Sequence, residues 1–167
     1  IDRLDEVYET SDYGIAFKKG TNGELREQLN EFIATIKENG EYDRLQAKWF
    51  GDKEPTEFAD PNALTGTNGT IRVVTCNEAM PFGYIKNGKL VGYDIDFIVA
   101  FAKEYGYTLE IEGVAFPGVL AGLGADMYDL AVAGLTITDE RREALDFTDP
   151  YHKEDLIFMI TGDNSDS

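Results

Sequence analysis

From Ile71 onward, short strand-like segments alternate with segments of helical period. One of the strands, "YDLAVAGL" (128–135), is apolar without alternation. A half-buried strand alternates, so a run like this must be covered on both faces. That is the signature of a central strand in a parallel sheet. The order around it is consistent. "IRVVT" reads as a strand and "GYIKNGKLVGY" as a hairpin turning at Asn87-Gly88. "DIDFIVAFAKEYG" reads as a helix capped near Asp94, with Ile95, Phe97, Ile98, Phe101 and Ala102 apolar, ended by Gly106. "YTLEIEGV" is an alternating strand, and "FPGVLAGLGADM" a short helix with Pro117 in its first turn. "TDERREAL" opens another short helix, and "DLIFMIT" is a last strand. Strands alternating with helices predict a three-layer α/β/α unit around a mostly parallel sheet of about five strands.

The chain before Ile71 differs in texture. "YGIAF" (13–17) is a strand candidate ended by Lys18-Lys19-Gly20. Thr21 or Asn22 then caps a helix whose Leu25, Leu29, Phe32, Ile33 and Ile36 share one face, closed by Asn39-Gly40. A second helix, "EYDRLQAKWF", turns Tyr42, Leu45, Trp49 and Phe50 inward. Residues 52–69 have no period and many turn formers, which reads as a linker.

Composition removes several functions. The net charge of -17, from 32 acids against 15 bases, opposes binding to nucleic acid or to an anionic membrane surface. No apolar run approaches the ~20 residues of a membrane helix. The single Cys76 allows no internal disulfide and no cysteine metal cluster. The single His152 makes a histidine metal site or a Ser-His-Asp triad improbable, and an ordinary surface histidine is the expectation. No cofactor and no metal are expected. A 43% hydrophobic fraction makes the chain globular.

The stretch "AGLTITDERR" (133–142) carries the chemistry. It sits where a buried strand meets a helix start, the end of an α/β sheet where small ligands collect. Helix N-termini offer free N–H groups and a positive dipole end. Thr136 and Thr138 add hydroxyls, and Arg141 a planar fork matched to a carboxylate. Gly134 admits a ligand close to its backbone, where a carbonyl accepts from an ammonium. Together these would hold an α-carboxylate and an α-amino group. The plainer alternative is that Thr138 caps a helix whose charges face water, with Asp139 and Glu140 competing for Arg141.

Two segments, "MPFGYIKNGKLVGYDIDF" and "YDLAVAGLTITDERREALDFTDPY", resemble the first lobe of family-3 extracellular solute-binding proteins. These serve ABC transporters for polar amino acids, and the second segment is closest to glutamine-binding members. "YGIAFKKGTNGELREQLNEFIATIKENGEYDRLQAKWFGD" resembles the carboxy-terminal end of the same family. The resemblance thus implies a type II periplasmic-binding-protein lobe in permuted order. Residues 1–51 supply the tail-type hinge strand and two helices, 52–69 the linker, and 70–167 the head of lobe one. The second lobe is absent. Residues 21–51 are expected to pack on the sheet of residues 70–161, within one chain or through a domain-swapped dimer. A piece of a tandem-module protein, a permutation and a natural single lobe all fit this order.

Carried over by position, the resemblance gives Arg141 and Thr136 to the ligand's α-carboxylate and the Gly134 carbonyl to its α-amino group. Phe116 packs on the ligand side chain, or else anchors the core. Ala79 stands where the family often has a stacking aromatic, and Cys76 where it often has an acid. Those departures weaken that loop. The implied function is extracellular or periplasmic binding of a glutamine- or glutamate-like amino acid for a membrane permease. With half a cleft, binding is expected to be weak or absent. A sensor ectodomain of the same fold is the alternative. A dehydratase, with Asp146, Asp149, Glu78 or His152 as acid–base groups, is a remoter one.

Overall fold

The structure, a computed structural model, describes residues 4–161, with side chains described for residues 10–154. The ends, 1–3 and 162–167, lie outside the described residues. In chain order the elements are β1 (Leu4–Tyr13), β2 (Ala16–Lys18), α1 (Gly23–Asn39) and α2 (Glu41–Phe50). A 3-10 turn at Pro61–Ala63 interrupts an irregular stretch. There follow β3 (Thr70–Cys76), β4 (Glu78–Ala79), β5 (Gly83–Lys86), β6 (Lys89–Val91), α3 (Tyr93–Tyr105) and β7 (Thr108–Val114). Then come α4 (Phe116–Gly124), β8 (Leu130–Ala131), α5 (Asp139–Arg142), β9 (Leu145–Phe147) and β10 (His152–Thr161).

The main sheet has five strands in the order β7-β3-β8-β2-β9. β3 runs parallel to both β7 and β8, and β2 runs antiparallel to both β8 and β9. The α/β sheet is therefore mixed, with β2 alone reversed. Val73 and Val74 on β3, and Leu130 and Ala131 on β8, are fully buried, as a two-face-covered centre requires. β1 and β10 pair with each other as an antiparallel ribbon, from Tyr13 opposite His152 out to Leu4 opposite Thr161. β4, β5 and β6 form a separate small sheet.

Local chemistry explains the boundaries. Asn87 and Gly88 both take positive φ (52° and 79°), the conformation a two-residue hairpin turn needs, and join β5 to β6. Asn22 stands at the start of α1, but in a left-handed conformation and without a side-chain cap. The Thr21 hydroxyl donates to the Lys18 carbonyl at 2.7 Å instead. Asp94 does not cap α3; Gly92 holds that position at φ 144°, and Asp94 lies inside the helix. A Cβ at residue 92 would come within 2.1 Å of the Phe82 carbonyl oxygen.

Residues from both sides of the irregular stretch share one core. Phe32 of α1 meets Phe97 and Phe101 of α3 edge-on at 5.5 and 5.6 Å. Asp96 of α3 accepts from Lys48 Nζ (2.6 Å) and Trp49 Nε1 (2.9 Å) of α2, and from the Ala59 backbone N–H (3.1 Å). On the other side of the sheet, Val119 and Leu123 of α4 close a smaller cluster with Val74, Ala131, Ala133 and Leu135.

Candidate functional site

Beyond β8 the chain stays extended through Val132, whose N–H donates to Val74, and then turns at Gly134 (φ 61°). A Cβ there would press on the Phe82 ring at 3.0 Å, so glycine suits both the backbone and the space. The next residues are pinned from the ribbon's root. Gly14 N–H donates to the Leu135 carbonyl, and Ile137 N–H to the Asp12 carbonyl. Thr138 then starts α5, its hydroxyl accepting from the Arg141 N–H at 3.1 Å.

This turn brings Arg141 back over the strand end. Its Nη1 donates to both the carbonyl and the hydroxyl of Thr136, at 2.8 Å each. The guanidinium carbon lies 5.8 Å from the centre of the Phe116 ring, which is 37% exposed. Arg141 makes no ion pair among the described residues. The expected competition does not occur: Asp139 reaches Arg142, at 3.9 Å, and Glu140 pairs with neither arginine. The other guanidinium donors of Arg141 have no hydrogen-bond partner among the described residues, in a chain of net charge -17.

Arg141, Thr136 and Phe116 are thus grouped, with Gly134 two residues from Thr136. Ala79 is half-buried and packs with the Cys76 and Val74 cluster; no hydrogen bond joins it to the arginine among the described residues. Met80 beside it is 71% exposed. None of the five residues lines the groove of about 1010 Å³ between Phe58, Leu90, Ile111 and Met127 at the β7 edge of the sheet.

Behind Gly134 lies a buried group that sequence reasoning missed. Asp94 is fully buried, and its Oδ1 accepts from the Tyr151 hydroxyl at 2.6 Å. Burial pushes the Asp94 carboxyl up to about 8, against the lesser opposing pull of the Tyr151 hydroxyl and the Gly134 amide. The Tyr151 hydroxyl is raised well above its ordinary range, first by burial and then by Asp94. The signal was two acids, Asp94 and Asp96, in a helix apolar nearly all round. His152 is not a surface residue: it is 3% exposed, stacked on Phe50 at 4.0 Å, with Nδ1 2.8 Å from the Gln46 amide oxygen. Burial lowers its pKa. Asp146 accepts from the Gly20 N–H at 2.8 Å, which holds its carboxyl below the usual range. Among the described residues no group of three or more His, Cys, Asp or Glu is placed to hold a metal, and no helix is long and apolar enough to cross a membrane.

The family model for bacterial extracellular solute-binding proteins, family 3, matches residues 5–52 and 71–166. A probable histidine-binding protein of Campylobacter jejuni is 31% identical over 98 residues, 59% of this chain and 38% of that protein. The cyclohexadienyl dehydratase of Pseudomonas aeruginosa is 28% identical over 88 residues, 52% of this chain and 33% of the enzyme. Among solved structures, the arginine-bound domain 1 of TmArgBP is 33% identical, covering 50% of this chain and 67% of that one, with a TM-score of 0.48. The chain thus spans little more than a third of the length of the curated relatives it matches, most of which are amino-acid-binding proteins.

Proposed function

The chain belongs to the bacterial extracellular solute-binding proteins of family 3, and we propose that its Gly134–Arg141 face is one wall of a site for a free α-amino acid. The observation that carries this is Arg141. Its Nη1 is fixed by two bonds to Thr136, while its remaining donors have no hydrogen bond and no acid among the described residues. A guanidinium held by one nitrogen is pre-oriented, so a carboxylate meets it with little further loss of side-chain freedom. Thr136 and the turn at Gly134 stand beside it, for the carboxylate and the α-ammonium respectively. Phe116 offers an apolar surface to the ligand's stem.

Residues 13–51 and 70–161 act in this reading as one lobe written tail first, with 52–69 as its tether, working outside the cell ahead of a membrane permease. The arginine-, histidine- and cystine-binding relatives widen the panel beyond glutamine and glutamate. Two of the four acid–base candidates, Asp146 and His152, are engaged in the fold, which supports binding over catalysis. Asp146 is taken up by Gly20 and Lys19, and His152 is enclosed by Phe50 and Tyr13.

Calorimetric titration with L-arginine, L-histidine, L-cystine, L-glutamine and L-glutamate tests this. At least one is expected to bind, weakly because the chain supplies one wall of the site, and its α-methyl ester (for cystine the diester), which lacks the α-carboxylate, is expected not to. An ester that binds as well as its parent amino acid overturns the assignment of Arg141.

A further inference from the structure

Tyr13, at the root of the ribbon, lies directly opposite Thr136. The bonds from Gly14 N–H to the Leu135 carbonyl (3.0 Å) and from Ile137 N–H to the Asp12 carbonyl (2.8 Å) flank the two residues. They therefore form a non-hydrogen-bonded antiparallel pair, whose side chains stand close together on one face. Each side chain carries a hydroxyl, and each hydroxyl holds a charged group. Thr136 accepts from Arg141 Nη1 at 2.8 Å. Tyr13 donates to Oε1 of Glu154, on β10, at 2.8 Å. The Tyr13 ring also stacks on Phe82 at 5.1 Å, and the Phe82 ring backs Gly134. Glu154 is thereby tied, through Tyr13, to the turn that carries Gly134 and Thr136.

Glu154 pairs with no lysine or arginine among the described residues. Its ionic neighbour there is His152, whose Nε2 lies 3.8 Å from Oε2. The Gln46 amide nitrogen donates to the Tyr93 hydroxyl, so the Gln46 oxygen takes the proton of His152 Nδ1. Burial lowers the His152 pKa, which leaves the ring neutral at pH 7 and its Nε2 an acceptor. That Nε2 has no hydrogen-bond partner among the described residues and does not offset the Glu154 charge. Arg141 and Glu154 are thus a cation and an anion fastened to two facing residues, and no ion pair joins them. The Glu154 side chain is 38% exposed, which leaves it open to a ligand.

We propose that Glu154 is a further binding residue, which receives the ligand's α-ammonium while Arg141 takes the α-carboxylate, and that Tyr13 positions it. This rests on the proposed amino-acid site. A zwitterion supplies both missing charges at once, whereas a deaminated acid supplies one. A charge-assisted bond to Glu154 is stronger than the bond that the neutral Gly134 carbonyl offers alone. Tyr13 fixes the carboxylate before the ligand arrives, which lowers the ordering cost of binding.

An NMR titration with the same five amino acids, followed at the Glu154 side-chain carboxyl and the Arg141 guanidinium, tests the two ends separately. Both are expected to shift with at least one of them. A shift at Arg141 alone overturns the role of Glu154 and leaves the carboxylate reading standing. A shift at Glu154 alone overturns the Arg141 assignment and supports Glu154. No shift at either overturns both. Affinities of two variants follow, each measured with the amino acid that binds and with its deaminated counterpart. For arginine, histidine, cystine, glutamine and glutamate these are 5-guanidinopentanoic, imidazolepropionic, dithiodipropionic, glutaramic and glutaric acid. Glu154→Gln removes the charge and keeps the shape. It is expected to weaken the amino acid by about 10-fold and not to weaken the deaminated acid. Tyr13→Phe keeps the ring, and is expected to weaken the amino acid by about 3-fold with the same selectivity. Equal weakening of both compounds, or an amino acid bound as well by Glu154→Gln as by the unmodified chain, overturns the proposal.

Discussion

The two faces of the sheet are built differently. One is thick and aromatic: Phe32, Trp49, Phe97, Phe101 and Tyr151 interlock across α1, α2 and α3. The other is thin and aliphatic, with Val119, Leu123, Ala131, Ala133 and Leu135 under the short α4. The first joins residues from before and after the irregular stretch, and so holds those two parts of the chain together. The second ends at Phe116 and Arg141, where the proposed site lies. Most of the buried core lies on one face, and the proposed ligand site lies at the edge of the other. A site on the rim of a thin layer can be altered without dismantling the fold.

The contrast sets an order of effects. Phe97→Ala should cost about 4 kcal/mol in a urea titration, because it empties the centre of the aromatic face. Leu123→Ala, on the thin face, should cost about 2–3 kcal/mol by the same measurement. A larger loss at Leu123 than at Phe97 would break the comparison. Phe116→Ala should cost less than either, about 1 kcal/mol, since more than a third of the residue is exposed.

A pH prediction sharpens the account of the buried carboxyl between the faces. Asp94 is raised from an ordinary value of 3.8 to about 8 in the folded protein. Between those values the folded state holds a proton that the unfolded state has released, so stability falls as pH rises across that window. The groups facing Asp94 are Tyr151 and Tyr93, with His152 beyond them. Asp94→Asn should flatten the decline measured by urea titration at pH 5 and pH 8. An unchanged slope would show that Asp94 is not its source.

Much of this was legible in residues. The unalternating "YDLAVAGL" announced a covered central strand, and Asn87-Gly88 a tight hairpin, because both signals are local. The single-face period of Leu29, Phe32, Ile33 and Ile36 gave α1. The part of β1 before Tyr13 was not read, since "LDEVYETSDY" is rich in acids and its ladder partner, β10, lies more than a hundred residues away. β9 was missed because three residues carry no period. At the proposed site, Arg141 and Thr136 are joined by a turn that their spacing suggests, whereas Phe116, on α4, was pointed to only by the family resemblance. The burial of Asp94 and His152 depends on residues from distant elements, Tyr151 for the one and Gln46 and Phe50 for the other, and no local pattern reveals that.

The most direct measurement is an amide NMR titration of this chain with the same five amino acids, beside Arg141→Ala. The account predicts that at least one ligand shifts the resonances of Gly134 to Arg141 while those of the aromatic face stay in place, and that the folded variant does not respond. Shifts that persist in Arg141→Ala, or a folded chain that responds to no ligand at millimolar concentration, would contradict it.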